Sequence, residues 1–218
     1  MTTSENKFIN NDLMKYYLDQ AELPEKWRAV KFADLKGSDD YQAQIEKIKN
    51  WDYETPNCLF INGPSGNGKT HLKVCLLKKY INSVILSAIE KYEDDFSVYD
   101  YKFNNYFLKE SELFAKIYKS YDTKGYDEAD VIEQLSNLPM LFLDDLFSSR
   151  TNDNARRVML DLIDTRIDWN GKPTVISSNL SLKQIAEQID TRIASRLSSG
   201  LVINLKSEKD YRIKKSVQ

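Results

Sequence analysis

CLFINGPSGNGKTHL, residues 58–72, decides how this chain is read. Cys58-Leu59-Phe60-Ile61 is apolar and follows Pro56, the pattern of a short buried strand after a breaker. Gly63-Pro64-Ser65-Gly66-Asn67-Gly68-Lys69-Thr70 then satisfies G-x-x-x-x-G-K-[ST] in full. Glycines let the backbone curl so that successive N–H groups point at phosphate oxygens, and the helix that follows adds its positive N-terminal end. The expected ligand is ATP with Mg²⁺. Lys69 reaches the β- and γ-phosphates and the Thr70 hydroxyl binds the metal. A helix is expected from about Thr70 to Tyr80, extending to Tyr92. His71, one residue beyond the loop, is counted among the cofactor-binding candidates, and its ring is read as helix packing rather than as a catalytic base.

Working outward, Met140-Leu141-Phe142-Leu143 is a second apolar run, ended by Asp144-Asp145. A strand that delivers acids at its C-terminal edge is how phosphate-transfer sites hold their metal. Asp144 is expected to contact Mg²⁺ through water and Asp145 to orient the attacking water. Thr174–Ser177 is a third strand, and Asn179 beyond it either bonds the γ-phosphate or water, or caps the turn before Ser181. Tyr106–Lys109 and Leu201–Leu205 complete five strands. Helices are expected over 38–51 (N-capped by Ser38), 110–121, 128–138, 154–169, 182–188 and 190–197. Residues 93–105 read as an inserted loop. Buried strands alternating with helices imply an α/β fold, a P-loop core whose five-stranded, mainly parallel sheet has helices on both faces. Three segments are expected: a short helical N-terminus (1–20), a linker with a leading helix (21–52) and the core (53–218).

Composition narrows the chemistry. The 218 residues are 41% apolar and 29% charged, the balance of an ordinary globular chain. No apolar run approaches the roughly 20 residues of a membrane span, and the first residues lack a basic-then-apolar export signal, so a cytoplasmic protein is expected. One histidine and two cysteines leave too few ligands for a structural zinc site or a disulfide framework. A net charge of −2 restricts nucleic-acid binding to a local basic patch.

Four stretches together, GPSGNGKTHL, LFLDDLF, TVISSNLSLKQI and DTRIASRL, resemble the DnaC/DnaI-type helicase loaders and the related IstB transposition ATPases of the AAA+ class. LPEKWRAVKFADL resembles the linker that precedes their ATPase core, and the likeness covers residues 22–212. It implies Walker A roles for Lys69 and Thr70, Walker B roles for Asp144 and Asp145, and a sensor role for Asn179. It places the arginine finger at Arg196, with Arg192 next, acting on a neighbouring subunit's nucleotide. Arg212 is a candidate second sensor. The implied activity is slow ATP hydrolysis stimulated by homo-oligomeric assembly. The implied partners are single-stranded DNA and a replicative helicase, or alternatively a transposase; a third reading is an ATP-binding regulator without turnover. Basic residues available to DNA are Lys206, Lys209, Arg212, Lys214 and Lys215, or Arg156 and Arg157. Asp145 is one methylene shorter than the Glu usual in these ATPases. The thirteen residues after Leu205 are too few for a full C-terminal helical lid. Phe8, Ile9, Leu13, Tyr16 and Tyr17 form an apolar stripe that either docks on the partner or packs on the chain's own core.

Overall fold

In the computed structural model, residues 9–53, 58–92, 101–104, 106–148 and 152–206 are described. The five apolar runs become β1 (Cys58–Asn62), β2 (Phe107–Lys109), β3 (Leu141–Leu146), β4 (Thr174–Ser178) and β5 (Leu201–Asn204). They form one sheet in the order β2-β3-β4-β1-β5, and every pairing is parallel. The chain leaves β1 for the far edge at β2, so β1 lies between β4 and β5 where the strand order reverses. In open parallel sheets that reversal opens a crevice at the carboxyl ends of the strands, where ligands bind.

Helices cover both faces. On one lie α1 (Asn11–Gln20), α3 (Asp39–Lys49) and α4 (Lys69–Tyr92), whose Tyr17, Ile45 and Leu72 join Phe142, Val175 and Ile203 of the sheet in one apolar cluster. On the other are α5 (Glu110–Tyr121), α6 (Glu128–Asn137), α7 (Asp153–Asp164), α8 (Leu182–Gln188) and α9 (Thr191–Ser198), contributing Leu113, Val131, Leu162, Ile185 and Ile193 against Phe60, Leu143 and Ile176. A short helix, α2 (Glu25–Arg28), and a 3₁₀ turn at Phe32–Asp34 bridge α1 to α3. Local chemistry sets the boundaries. The Ser38 side chain accepts from the Tyr41 N–H as an N-cap, with Asp39 and Asp40 in the first turn favouring the positive helix end. Asn152 and Ser181 cap α7 and α8 in the same way.

Two details differ from the sequence reading, and a third decides between two alternatives it left open. β3 does not end at Asp144 but runs through Leu146, with its register against β4 shifted between Leu143 and Leu146. The helix expected over 154–169 is α-helical only to Asp164 and finishes as a π-turn over Thr165–Trp169. That turn sinks Arg166 completely, where it bonds the carbonyls of Leu135, Ser136, Leu138 and Pro173 and the Thr174 hydroxyl. The third concerns the N-terminal stripe. Tyr17 is fully buried, its ring 5.0 Å from that of Phe103, and Ile9 is buried with its N–H on the Asn82 side chain. These members pack on the chain's own core rather than standing free for a partner; Phe8 lies outside the described residues, as does most of the 93–105 loop.

Candidate nucleotide-binding site

The loop between β1 and α4 is held from three sides. Gly63 has φ +151° and a Cβ there would stand 2.2 Å from Asn67 Nδ2 and 2.4 Å from the Leu205 carbonyl, so only glycine fits. Asn67 Nδ2 donates to that Leu205 carbonyl at 2.9 Å, tying the loop to the end of β5. Tyr41, buried on α3, donates its hydroxyl to the Asn67 carbonyl at 2.8 Å. Gly68, with φ +91°, has no room for a Cβ beside Leu35 and the Tyr41 hydroxyl. The leading helix thus braces the loop from below. Between its glycines, Pro64 and Ser65 are exposed at the crest and Gly66 is buried.

Lys69, the first residue of α4, is buried and its Nζ donates to the carbonyls of Gly63 (2.7 Å) and Pro64 (2.9 Å) and to Asn179 Oδ1 (2.8 Å). Asn179 also donates through Nδ2 to Asp145 Oδ1 at 3.0 Å, and the Ser65 hydroxyl reaches Asn179 Oδ1 at 3.5 Å. One amide therefore links the loop lysine to the second acid of β3. The Thr70 hydroxyl donates to Asp144, 2.9 Å from Oδ2. Lys69, Thr70, Asp144, Asp145 and Asn179 thus converge with the loop at the carboxyl ends of β1, β3 and β4.

The acids owe their aim to the irregularity in β3. Asp145 has φ +61°, a left-handed conformation that strains a non-glycine residue, and its N–H turns from the ladder to the Ser177 hydroxyl at 3.2 Å. The two adjacent carboxylates then diverge. Asp144 is buried toward Thr70, while Asp145 is half-buried beside Asn179.

Sequence reasoning missed Lys73. It lies one helical turn beyond Lys69, is fully buried, and is ion-paired to Asp144. Its Nζ also donates to the Leu143 carbonyl (3.0 Å) and the Ser177 hydroxyl (2.6 Å). Ser177 in turn donates to Asp144 Oδ1 at 2.9 Å. Burial pushes the Lys73 pKa down, against the opposing pull of Asp144. Burial would raise the Asp144 carboxyl, but the Lys73 ammonium and the hydroxyls of Ser177 and Thr70 outweigh it and hold the group below its ordinary 3.8. The only signal in the sequence is the four-residue spacing from Lys69 within an otherwise apolar stretch, Leu72 to Leu77.

Thr70 and Asp144 offer hydroxyl and carboxylate oxygens, a hard donor pair of the kind Mg²⁺ takes. The same Asp144 is already matched in charge by Lys73.

His71 turns away from the acids: its Nε2 is 2.7 Å from the Lys31 carbonyl and 3.9 Å from Asp34. Among the described residues neither candidate finger touches the loop or the acids. Arg196 is clamped by Asp164 and Asp168, each carboxylate 2.6 Å from its Nε. Arg192 is more exposed and pairs with Asp190 at 2.9 Å. Arg156 pairs with Asp153, and Arg157 with Glu128 and Asp161. Of the tail cations only Lys206 is described, and it is exposed; Lys209, Arg212, Lys214 and Lys215 lie outside the described residues.

A family model, the bacterial DnaA ATPase domain, matches residues 32–204, from the 3₁₀ turn through the end of β5. The chain belongs to this family. Its fold is shared with several solved proteins. The DnaC helicase loader is 22% identical, with 84% of this chain and 100% of that chain covered at a TM-score of 0.60. DnaI is 18% identical, with coverage of 87% and 94% and a TM-score of 0.62. The replication initiator DnaA bound to AMPPCP and single-stranded DNA is 15% identical at a TM-score of 0.56, and this chain spans about half of it (53%). No curated protein sequence matches the chain. The P-loop α/β fold expected from the sequence is thereby confirmed. Among the described residues no helix is long and apolar enough to cross a membrane.

Proposed function

We propose that the chain is an ATP-switched AAA+ ATPase of DNA replication that delivers or regulates a replicative helicase. The observation that carries the nucleotide part is the convergence of Lys69, Asn179, Asp145, Thr70 and Asp144 at the sheet's switch point. The replication part rests on membership of the DnaA ATPase-domain family and on the fold shared with DnaC and DnaI.

In this reading the loop N–H groups and Lys69 hold the β- and γ-phosphates, and Thr70 with Asp144 would hold Mg²⁺, which neutralises phosphate charge when bound. Asp145 orients the attacking water. Asn179, already bonded to both Lys69 and Asp145, carries the presence of the γ-phosphate from one to the other. Hydrolysis is slow in the isolated subunit because the arginine that neutralises transition-state charge comes from a neighbour. Arg192, at the exposed start of α9, is freer to reach across than the doubly clamped Arg196. A finger supplied in trans raises turnover by about 10³–10⁵ where it operates. Single-stranded DNA is bound weakly, through basic residues such as Lys206, and the affinity falls with salt.

Calorimetric titration with ATP tests the core of this reading: Lys69→Ala should abolish most of the affinity. Mixing Asp145→Asn subunits with Arg192→Ala or Arg196→Ala subunits should restore turnover if the site is shared. Unchanged binding in the Lys69 variant would overturn the nucleotide assignment. Recovery of a transposase instead of a helicase from host extract would overturn the choice of partner.

A further inference from the structure

Lys73 makes its ion pair in otherwise apolar surroundings. Its neighbours along α4, Leu72, Val74, Leu76 and Leu77, are all buried and apolar, and the Phe107 ring centroid lies 5.4 Å from its ammonium. Replacing a buried ion pair by apolar side chains is often neutral or stabilising, so such a pair is weakly explained by stability. What the pair does in this site is electrostatic. The Asp144 carboxylate, which would otherwise be the strongest local attraction for a divalent cation, is bonded at once to an ammonium and to two hydroxyls, those of Thr70 and Ser177. All three N–H bonds of the ammonium are used, on Asp144, Ser177 and the Leu143 carbonyl, so the cation is fixed in place. Lys69 then remains as a second positive charge facing the loop, joined by the N-terminal end of α4.

We propose that Lys73 is a built-in cation that occupies the metal-directing charge of Asp144, so that the chain binds nucleoside triphosphate with little dependence on Mg²⁺. The inference rests on the nucleotide reading above and concerns how the same site balances charge. Polyphosphate is drawn by Lys69, the loop N–H groups and the helix end, while Asp144, already matched in charge by Lys73, orients a metal that arrives with the nucleotide and adds little to the affinity for it. Removing the Lys73 charge would expose Asp144 and return the site to ordinary metal dependence.

The test is titration of the full chain with AMPPCP, a triphosphate analogue that cannot be hydrolysed at the β–γ bond, in Mg²⁺ and in EDTA. For the wild-type chain the two dissociation constants should agree within about threefold. For Lys73→Met, Mg²⁺ should tighten binding by at least about tenfold, equivalent to ~1.4 kcal/mol. Mg²⁺ alone should raise the melting temperature of Lys73→Met and leave that of the wild type unchanged. The double variant Lys73→Met/Asp144→Asn, which leaves no buried charge unpaired, should bind with the wild type's indifference to Mg²⁺. A wild-type affinity that falls tenfold or more in EDTA overturns the proposal, whether or not Lys73→Met folds. Equal indifference to Mg²⁺ in wild type and Lys73→Met overturns the assignment to Lys73. Absence of AMPPCP binding by the wild type in both buffers overturns the nucleotide reading itself, an outcome distinct from binding that requires the metal.

Discussion

Tyr41→Phe isolates the brace that α3 places under the phosphate loop. The substitution keeps the ring, which is almost wholly buried, and deletes only the hydroxyl that donates to the Asn67 carbonyl at 2.8 Å. A neutral hydrogen bond contributes about 0.5–1.5 kcal/mol net, and a buried carbonyl left without its donor costs about 1–3 kcal/mol. Both estimates overlap at about 1–1.5 kcal/mol, the expected loss of stability. For a domain of this size that corresponds to a melting temperature lowered by about 2–6 °C. The effect should extend to the ligand. The Asn67 peptide lies between Gly66 and Gly68 and is restrained by the Tyr41 hydroxyl and by the Asn67 side chain's bond to the Leu205 carbonyl. A looser peptide aims its N–H groups less well, so nucleotide affinity should fall about three- to tenfold, or ~0.7–1.4 kcal/mol. Calorimetry reads the first quantity and titration the second. Tyr118→Phe, on α5 with the residue 54% exposed, serves as control and should change neither. A Tyr41→Phe chain with wild-type melting temperature and affinity would refute the idea that the leading helix shapes the loop.

Arg166→Met should destabilise the fold by about 1–3 kcal/mol in urea denaturation, because it strands the carbonyls at the end of α6 that the guanidinium now satisfies; an unchanged stability would contradict this. Asp190 is held below its ordinary 3.8 chiefly by the hydrogen bond from the Arg192 side chain, so this pairing stabilises the fold above that value and ceases to as pH falls through the lower folded-state pKa. The stability difference between wild type and Arg192→Ala should therefore be present at neutral pH and shrink toward acid; a difference that grows on acidification would refute the pairing.

Legibility from sequence followed the range of the interactions involved. The strand–loop–helix from Cys58 into α4, the Ser38 cap and the five apolar runs are readable because period, turn chemistry and capping are properties of neighbours in the chain. The P-loop pattern is of the same kind, since its glycines and Lys69 lie within eight consecutive residues. That Thr70 and Asp144 belong to one site was also accessible, because a phosphate loop on one strand end implies an acid on another; their direct hydrogen bond was not.

What the tertiary structure decided are the matters that depend on register and on competition for partners. Lys73 reads as one more charged helix residue until parallel pairing brings Asp144, 71 residues away, against its ammonium. The divergence of Asp144 from Asp145 needs the slip between β3 and β4, which no one-strand pattern encodes. Whether Tyr17 faces a partner or its own core depended on Phe103 and the α4 surface offering a closer apolar neighbour. Arg196 carries the same charge in any arrangement, but the π-turn that follows α7 sets Asp164 and Asp168 around it and leaves Arg192 as the more exposed of the two. The sequence by itself determined which chemistry the chain carries, through contacts that are local. The folded chain alone determined which charges remain available for a ligand, because long-range pairing consumes some of them and spares others.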